Sequence, residues 1–233
     1  MPAPADGTSG RWQVQTLRGR AEDLLARDWP GAAAPCCWFV EPEGPALVLG
    51  STQPWSVADH DSSSVTGVSV VRRRSGGGAV LVEPGGLLWV DVLVPAGDPL
   101  EERDVARAFH WLGRAWAEAL ERCGLREARS WEDGPVQTAP RWSPLVCFAS
   151  LGSGEVAVGG RKVVGISQRR TRSGAMFQCA VLLEWAPGRL LYVLRLDDGE
   201  RRSGALDLAE VAVGTGIPAA DLRRAFVSSL AGY

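Results

Sequence analysis

At 233 residues, with 45% hydrophobic and 22% charged side chains, the chain has enough apolar content for one sizeable core and too much for a disordered polymer. Its net charge of −2 argues against a general binder of nucleic acid or anionic membrane, which needs a cationic field to displace counterions. No uncharged apolar run approaches the roughly 18 to 20 residues that span a bilayer. The start, MPAPADGTSG, lacks a basic n-region and an apolar h-region, so a cytoplasmic protein with no membrane and no nucleic-acid partner is expected.

Residues 1–10 are mostly Pro, Gly, Ser and Ala and read as a disordered leader, followed by a single domain over 11–233. A helix is predicted over 17–28, where Leu17, Ala21, Leu24 and Leu25 share a stripe. Apolar runs at 36–40 and 46–50, separated by Pro and Gly, have the pattern of two strands with a tight connection, and 53–67 has the Ser, Asp and Pro content of a surface loop. A strand is expected at 68–72. The triple glycine then breaks it, and strands continue at 79–82 and 87–94 around a Pro84-Gly85-Gly86 turn. Asp98 and Glu101 read as a capping pair that opens a helix over 102–123, with Val105, Phe109, Leu112, Trp116 and Leu120 on one face and Gly124 as its stop. Strands are expected at 155–158, 162–172, 175–183 and 190–196, and helices near 206–213 and 219–230 close the chain. Hairpins with interspersed helices give an α+β fold whose sheet is mainly antiparallel or mixed and flanked by helices.

The side-chain inventory narrows the chemistry. Cys36, Cys37, Cys123, Cys147 and Cys179 are odd in number and show no CxxC spacing, so a disulfide scaffold is not expected. With only His60 and His110, neither a zinc site nor a Ser/His/Asp set is expected. GxxxxGK[ST] and GxSxG are absent, and the Gly-rich stretch at 214–219 leaves too little chain to complete a dinucleotide-binding unit. Of the 25 cationic side chains, 24 are arginine and only Lys162 is lysine. A compact ammonium and a planar guanidinium do different chemistry, so the surroundings of that lysine matter.

Two segments can carry chemistry. In RRRSGGGAV at 72–80 a cationic strand end meets three glycines, which allow the backbone to approach a ligand and aim its N–H groups at an oxyanion; a flexible hairpin tip is the bland alternative. In GRKVVGISQRR at 160–170 Lys162 enters a strand after a Gly-Gly turn, and Gly165 leaves space beside it. A lysine snorkelling at the surface is the alternative there.

Together and in this order, with an FQ-containing strand after them, the two segments resemble the catalytic domain of the lipoate–protein ligase A and octanoyltransferase family. The resemblance runs from ALVLGSTQ at 46–53 to about residue 183. It implies a fold related to biotin–protein ligases and class II aminoacyl-tRNA synthetase cores. It also implies an enzyme that attaches lipoyl or octanoyl groups to a lysine of carrier domains. The substrate-binding positions it implies are Arg72, Arg73, Ser75, Gly76, Gly77, Gly78, Ala79, Gly165 and Ser167, with Lys162 contacting the activated acyl group. An ammonium can stabilise charge that develops on the acyl oxygen; Lys162→Arg is therefore expected to lose transfer while keeping the fold.

The family resemblance leaves three chemistries open. A ligase would use ATP and Mg²⁺ to form lipoyl-AMP. An octanoyltransferase would need no cofactor and would pass the acyl group through Cys147, which resembles the acyl-accepting cysteine of one octanoyltransferase branch. Partners implied are lipoyl carrier domains such as those of 2-oxoacid dehydrogenase E2 and the glycine cleavage H protein, with lipoate or octanoyl acyl carrier protein as donor. Val82, Gly86 and Cys179 stand where many members have His, Asn and His; fewer polar ligand contacts are expected there, which admits a non-catalytic acyl-binding or acyl-nucleotide-binding protein. The chain stops too early for the accessory C-terminal domain of many ligases, so transferase chemistry or a separate accessory subunit is expected. The assignment requires Lys162 and the three glycines to share one cavity.

Overall fold

The computed structural model describes residues 7–29, 33–132 and 138–233. In chain order the elements are β1 (Gly7–Ser9), β2 (Trp12–Gly19), α1 (Ala21–Ala26), β3 (Cys36–Pro42), β4 (Ala46–Leu49), α2 (His60–Thr66), β5 (Ser69–Arg72), β6 (Val80–Val82) and β7 (Leu87–Pro95). There follow α3 (His110–Arg122), β8 (Ala128–Ser130), β9 (Val156–Val158), β10 (Arg161–Thr171), β11 (Gly174–Leu182), α4 (Pro187–Tyr192), α5 (Asp198–Val211) and α6 (Ala219–Leu230).

Eight strands form one mixed sheet in the order β1-β2-β3-β7-β11-β10-β9-β8, antiparallel except for the β2–β3 pair. The central strand β7 is buried along its whole length, its apolar sequence interrupted only by Asp91. A second, three-stranded sheet runs β5-β4-β6. This is the α+β fold with a mixed sheet and flanking helices expected from the pattern. One face of the large sheet is covered by α3 and α6, where the Trp116 and Phe226 rings stack at 3.6 Å. The other face packs against the small sheet, α1, α4 and α5. The functional region lies on this second side, because β4 and β6 belong to the small sheet while β3 and β7 belong to the large one. The chain therefore crosses between sheets at 43–45 and at 83–86 instead of closing hairpins.

Several local expectations are corrected. Gly7–Ser9 pairs with β2 and is not leader; residues 1–6 lie outside the described residues. The helix expected over 17–28 is the end of β2 followed by the short α1. In β2, Trp12 and Val14 are buried while Gln13 and Gln15 are exposed, and that period-2 alternation overrides the leucine stripe. The supposed loop at 53–67 contains α2, capped by the Asp59 carboxylate accepting from the Ser62 N–H at 3.0 Å and ended by Gly67 at φ 69°. Asp98 and Glu101 open no helix. Glu101 accepts from Gly97 N–H, and Asp98 pairs with Arg11 at 2.7 Å, so both stabilise a turn and α3 begins at His110. The strand expected at 190–196 is instead α4, with Pro187 at its first turn, where a missing N–H costs nothing. Among the described residues, no helix is long and apolar enough to cross a membrane.

Replacing Trp116 by Ala removes a fully buried ring from the helix-covered core. Urea unfolding is expected to show a loss of about 3–5 kcal/mol.

Candidate active site

The glycine loop between β5 and β6 is held from inside. Arg73 is 6% exposed, and its guanidinium donates to the carbonyls of Gly76 (2.7 Å), Gly78 (2.9 Å) and Val48 (3.3 Å). Burial pushes its pKa down, with Cys147 and Glu155 acting in the opposite sense. Close approach explains the glycines. A Cβ at Gly78 would lie 2.5 Å from the Val146 carbonyl carbon, and Gly77 adopts φ 97°. Ala79 follows at once and bridges to the 145–147 segment, its N–H donating to Leu145 and its carbonyl accepting from Cys147 N–H at 3.0 Å. Arg72 faces elsewhere. It donates to the Gln53 carbonyl at 2.6 Å and lies over the Trp55 ring, so it braces the 53–57 turn and does not line the apolar trough between the sheets, contrary to the position expected for it.

Lys162 is 2% exposed. Gly159 and Gly160, at φ 56° and 80°, form the tight turn between β9 and β10. The β9–β10 register then shifts between Lys162 and Val164, so Val163 and Val164 both enter the helix-covered core. This bulge turns Lys162 to the same side of the sheet as Gly165, whose Cβ position lies 3.3 Å from Lys162 Cε. There the ammonium donates to the carbonyls of Cys147 (2.9 Å) and Ser150 (3.0 Å), and it pairs with Glu155 at 2.6 Å. Its Nζ also sits 3.9 Å from Cys147 Sγ. Burial works against the charge, but Cys147 and Glu155 outweigh it and hold the lysine pKa above its ordinary value. The pair therefore contributes stability throughout neutral pH and loses it only as pH rises through that raised value.

Lys162 and the three glycines do not line one shared cavity, contrary to the expectation; they meet instead through one residue. Lys162 holds the Cys147 carbonyl, and the Cys147 N–H is bound to Ala79. Beside them an open trough lies between the two sheets. Val48, Val80 and Val82 form its small-sheet wall, Leu87 and Trp89 its large-sheet wall, and Cys147 and Arg73 its polar end. Its floor is low because Gly165 and Ala180 are direct cross-strand partners and carry little or no side chain. Ser75 Oγ donates to Gln178 Oε1 at 2.9 Å and lies 3.0 Å from Ser167 Oγ, which fastens the glycine loop to the sheet. Val82 lines the trough as an apolar wall; Gly86 uses its carbonyl to accept from Leu183 and Glu184. Cys179 borders the trough between Gln178 and Ala180 and also packs with Phe177 and Val181 in the helix-covered core.

The chain matches the sequence profile of the lipoyl protein ligase A/B catalytic domain over residues 20–213. It belongs to that family. An octanoyltransferase LipM of Kyrpidia tusciae is 30% identical over 154 residues, covering 65% of this chain and 55% of the relative. One of Lysinibacillus sphaericus is 28% identical over 187 residues, covering 78% and 67%. The chain thus spans little more than half the length of the first of these relatives. Among solved structures, a bi-partite lipoate protein ligase of Thermoplasma acidophilum superposes with a TM-score of 0.75 at 20% identity, covering 97% of this chain and 84% of that one. A lipoate-protein ligase A bound with ATP gives 0.71 at 18% identity, covering 97% and 85%. At such identities the likeness is one of fold, and the fold is that of lipoate ligases.

Within this family member, sequence reasoning missed Glu155, Gln178 and Asp91. Glu155 accepts from the N–H groups of Gly152 (2.6 Å) and Ile166 (3.0 Å) as well as from Lys162, so it is the centre that fixes the lysine. An acid inside the apolar run GEVAV was the available signal. The burial of Lys162 also corrects the expectation for Lys162→Arg, because a bulkier guanidinium in this site disturbs folding as well as chemistry. Lys162→Met leaves Glu155 buried without its cation and is expected to cost about 3–5 kcal/mol in chemical denaturation. Adding Glu155→Gln to that variant should cost less than the sum of the two single changes.

Proposed function

We propose that this chain transfers an octanoyl-type acyl group from an acyl-carrier thioester to a lysine of a lipoyl carrier domain, through an acyl-enzyme on Cys147. The observation that carries the reading is the Cys147 thiol on the wall of an apolar trough with a buried ammonium 3.9 Å from its sulfur. The Cys147 thiolate would attack the thioester carbonyl carbon. A bond from carbon to Sγ forms, the bond to the donor sulfur breaks, and the donor sulfur takes up the proton that the Cys147 thiol gave up on forming the thiolate, leaving as a thiol. The ε-amine of the carrier lysine then attacks the acyl-enzyme, an amide forms, the amine gives up a proton, and Cys147 returns as a thiol. The charge of Lys162, 3.9 Å from the sulfur, stabilises negative charge there through space. The trough walls take up the acyl chain and exclude water.

The family names of the curated relatives support this reading. The residues fit ATP and Mg²⁺ poorly. The Arg73 guanidinium is committed to the carbonyls of its own loop, and the three N–H bonds of Lys162 go to Cys147, Ser150 and Glu155.

The test is intact-mass analysis of an apo carrier domain incubated with the purified chain and octanoyl carrier thioester, or with lipoate and Mg-ATP. The expected result is octanoylation without ATP, with a hydroxylamine-sensitive mass increase on the chain itself; both are absent in Cys147→Ala, whose melting curve is unchanged. Lipoylation that depends on ATP and survives Cys147→Ala would instead make the chain a ligase. Acyl binding with no mass change in either arm would leave a non-catalytic pocket.

A further inference from the structure

The trough face of the large sheet carries a polar row directly beside its apolar floor. Ser167 on β10, Gln178 on β11, Asp91 on β7 and Trp38 on β3 are successive cross-strand partners, one row from Gly165, Ala180 and Trp89. Asp91 is 4% exposed and accepts from the Trp89 indole N–H at 2.7 Å and from the Gln178 side chain. Gln178 in turn accepts from Ser75, whose hydroxyl meets that of Ser167. The proposed transfer chemistry uses no part of Asp91. Burial raises this carboxyl from its ordinary 3.8 to about 7, with Trp89 and Gln178 opposing the rise. Its ionised form therefore lowers folding stability progressively as pH climbs from about 4 to about 7.

The direction of every hydrogen bond in the row follows from that acid. An ionised carboxylate only accepts, so it claims the Gln178 amide N–H and turns the Gln178 carbonyl toward Ser75. The Ser75 hydroxyl then donates to Gln178 and keeps a lone pair for the proton of Ser167. Ser75 immediately precedes the triple glycine, so the row reaches the glycine loop. The arginines of the adjoining small cavity are engaged elsewhere: Arg74 and Arg169 with Asp28, Arg27 over the Trp38 ring. The Cys37 and Cys179 thiols, whose side chains belong to the opposite face of the sheet, are both pushed up by burial.

The geometry points to Asp91 as a positioning residue that sets the donor and acceptor order of the Asp91–Gln178–Ser75–Ser167 row and thereby holds the glycine loop at the height above the sheet that the acyl donor requires. The consequence for the acyl donor rests on the transfer reading above; the coupling between row and loop does not.

Exchange of the acid and the amide tests the order directly. In Asp91→Asn two amide N–H groups face each other and Gln178 must flip; in Gln178→Glu two acids adjoin. Each single change is expected to raise KM for the acyl donor about tenfold, the effect of misdirecting one hydrogen bond to a charged group, with kcat little changed because Cys147 and Lys162 are untouched. The double change Asp91→Asn with Gln178→Glu again gives each donor an acceptor, from the Trp89 indole to Ser75, and should restore KM. Wild-type KM in the singles, or a double no better than the worse single, overturns the proposal. A second measurement needs no catalysis. In ¹⁵N-labelled protein, the Trp89 indole N–H, assigned with Trp89→Phe, and the amides of Gly76, Gly77 and Gly78 should titrate together with a midpoint near 7. Glycine amides that ignore the Trp89 transition overturn the coupling. Joint titration in a chain that transfers no acyl group would sink the transfer reading and leave the row standing.

Discussion

The ion pair between Lys162 and Glu155 is the contact on which the arrangement of the site depends. Taking both charges out of water costs several kcal/mol for each ion, and a single Coulombic contact does not offset that. The protein compensates with a complete set of partners. Glu155 collects two backbone N–H groups besides the ammonium, and the ammonium reaches two carbonyls besides the carboxylate. Those carbonyls belong to the turn that carries Cys147, so the buried charge also positions the Cys147 thiol that the proposed transfer would use. Through Cys147 N–H and Ala79 the same network reaches the glycine loop. Charge, nucleophile and loop are thus one hydrogen-bonded unit inside a shell of apolar side chains.

Arginine and lysine divide the work according to their shapes. The planar fork of Arg73 spans several carbonyls at once and shapes the loop from within, which a point charge could not do. Lys162 is compact enough to lie beneath Gly165 and place its charge beside a sulfur. In a chain with 24 arginines, the single lysine stands where Gly165 closes in to 3.3 Å from its Cε and leaves little room for a fork. The trough exists for a related reason. Two sheets pack face to face, and where Gly165 meets Ala180 the large sheet offers almost no side chain to fill the gap. An apolar hollow is left beside the polar unit.

Strands β3 to β7, β9, the β10–β11 hairpin and α6 were readable along the chain, because a buried strand is a largely apolar run and a Ser-Gly step marks a tight turn. The elements misread were short ones whose identity is settled by contacts. The β2 segment becomes a strand because β1 and β3 pair with it, and α4 is a helix because it packs between the small sheet and α5. The α2 cap at Asp59 was legible in principle, since an acid that precedes a polar first turn is a local signal.

The order of residues alone established that Lys162 is singular, that three glycines stand together, and that both lie in motifs of a lipoate ligase-like domain. These are matters of residue type and spacing, which a linear chain displays in full. Only the tertiary structure decided which way the side chains face. A one-residue bulge reverses Lys162 from the helix-covered core to the trough, and strand register sets Asp91, Gln178 and Ser167 in one row across three strands. Arg72 was assigned to the pocket by its neighbours in sequence and is turned away from it by the Trp55 ring. Alternation along a strand has a period of two residues, so a single extra residue or a single step of register inverts what faces the ligand, and nothing in local composition records that step.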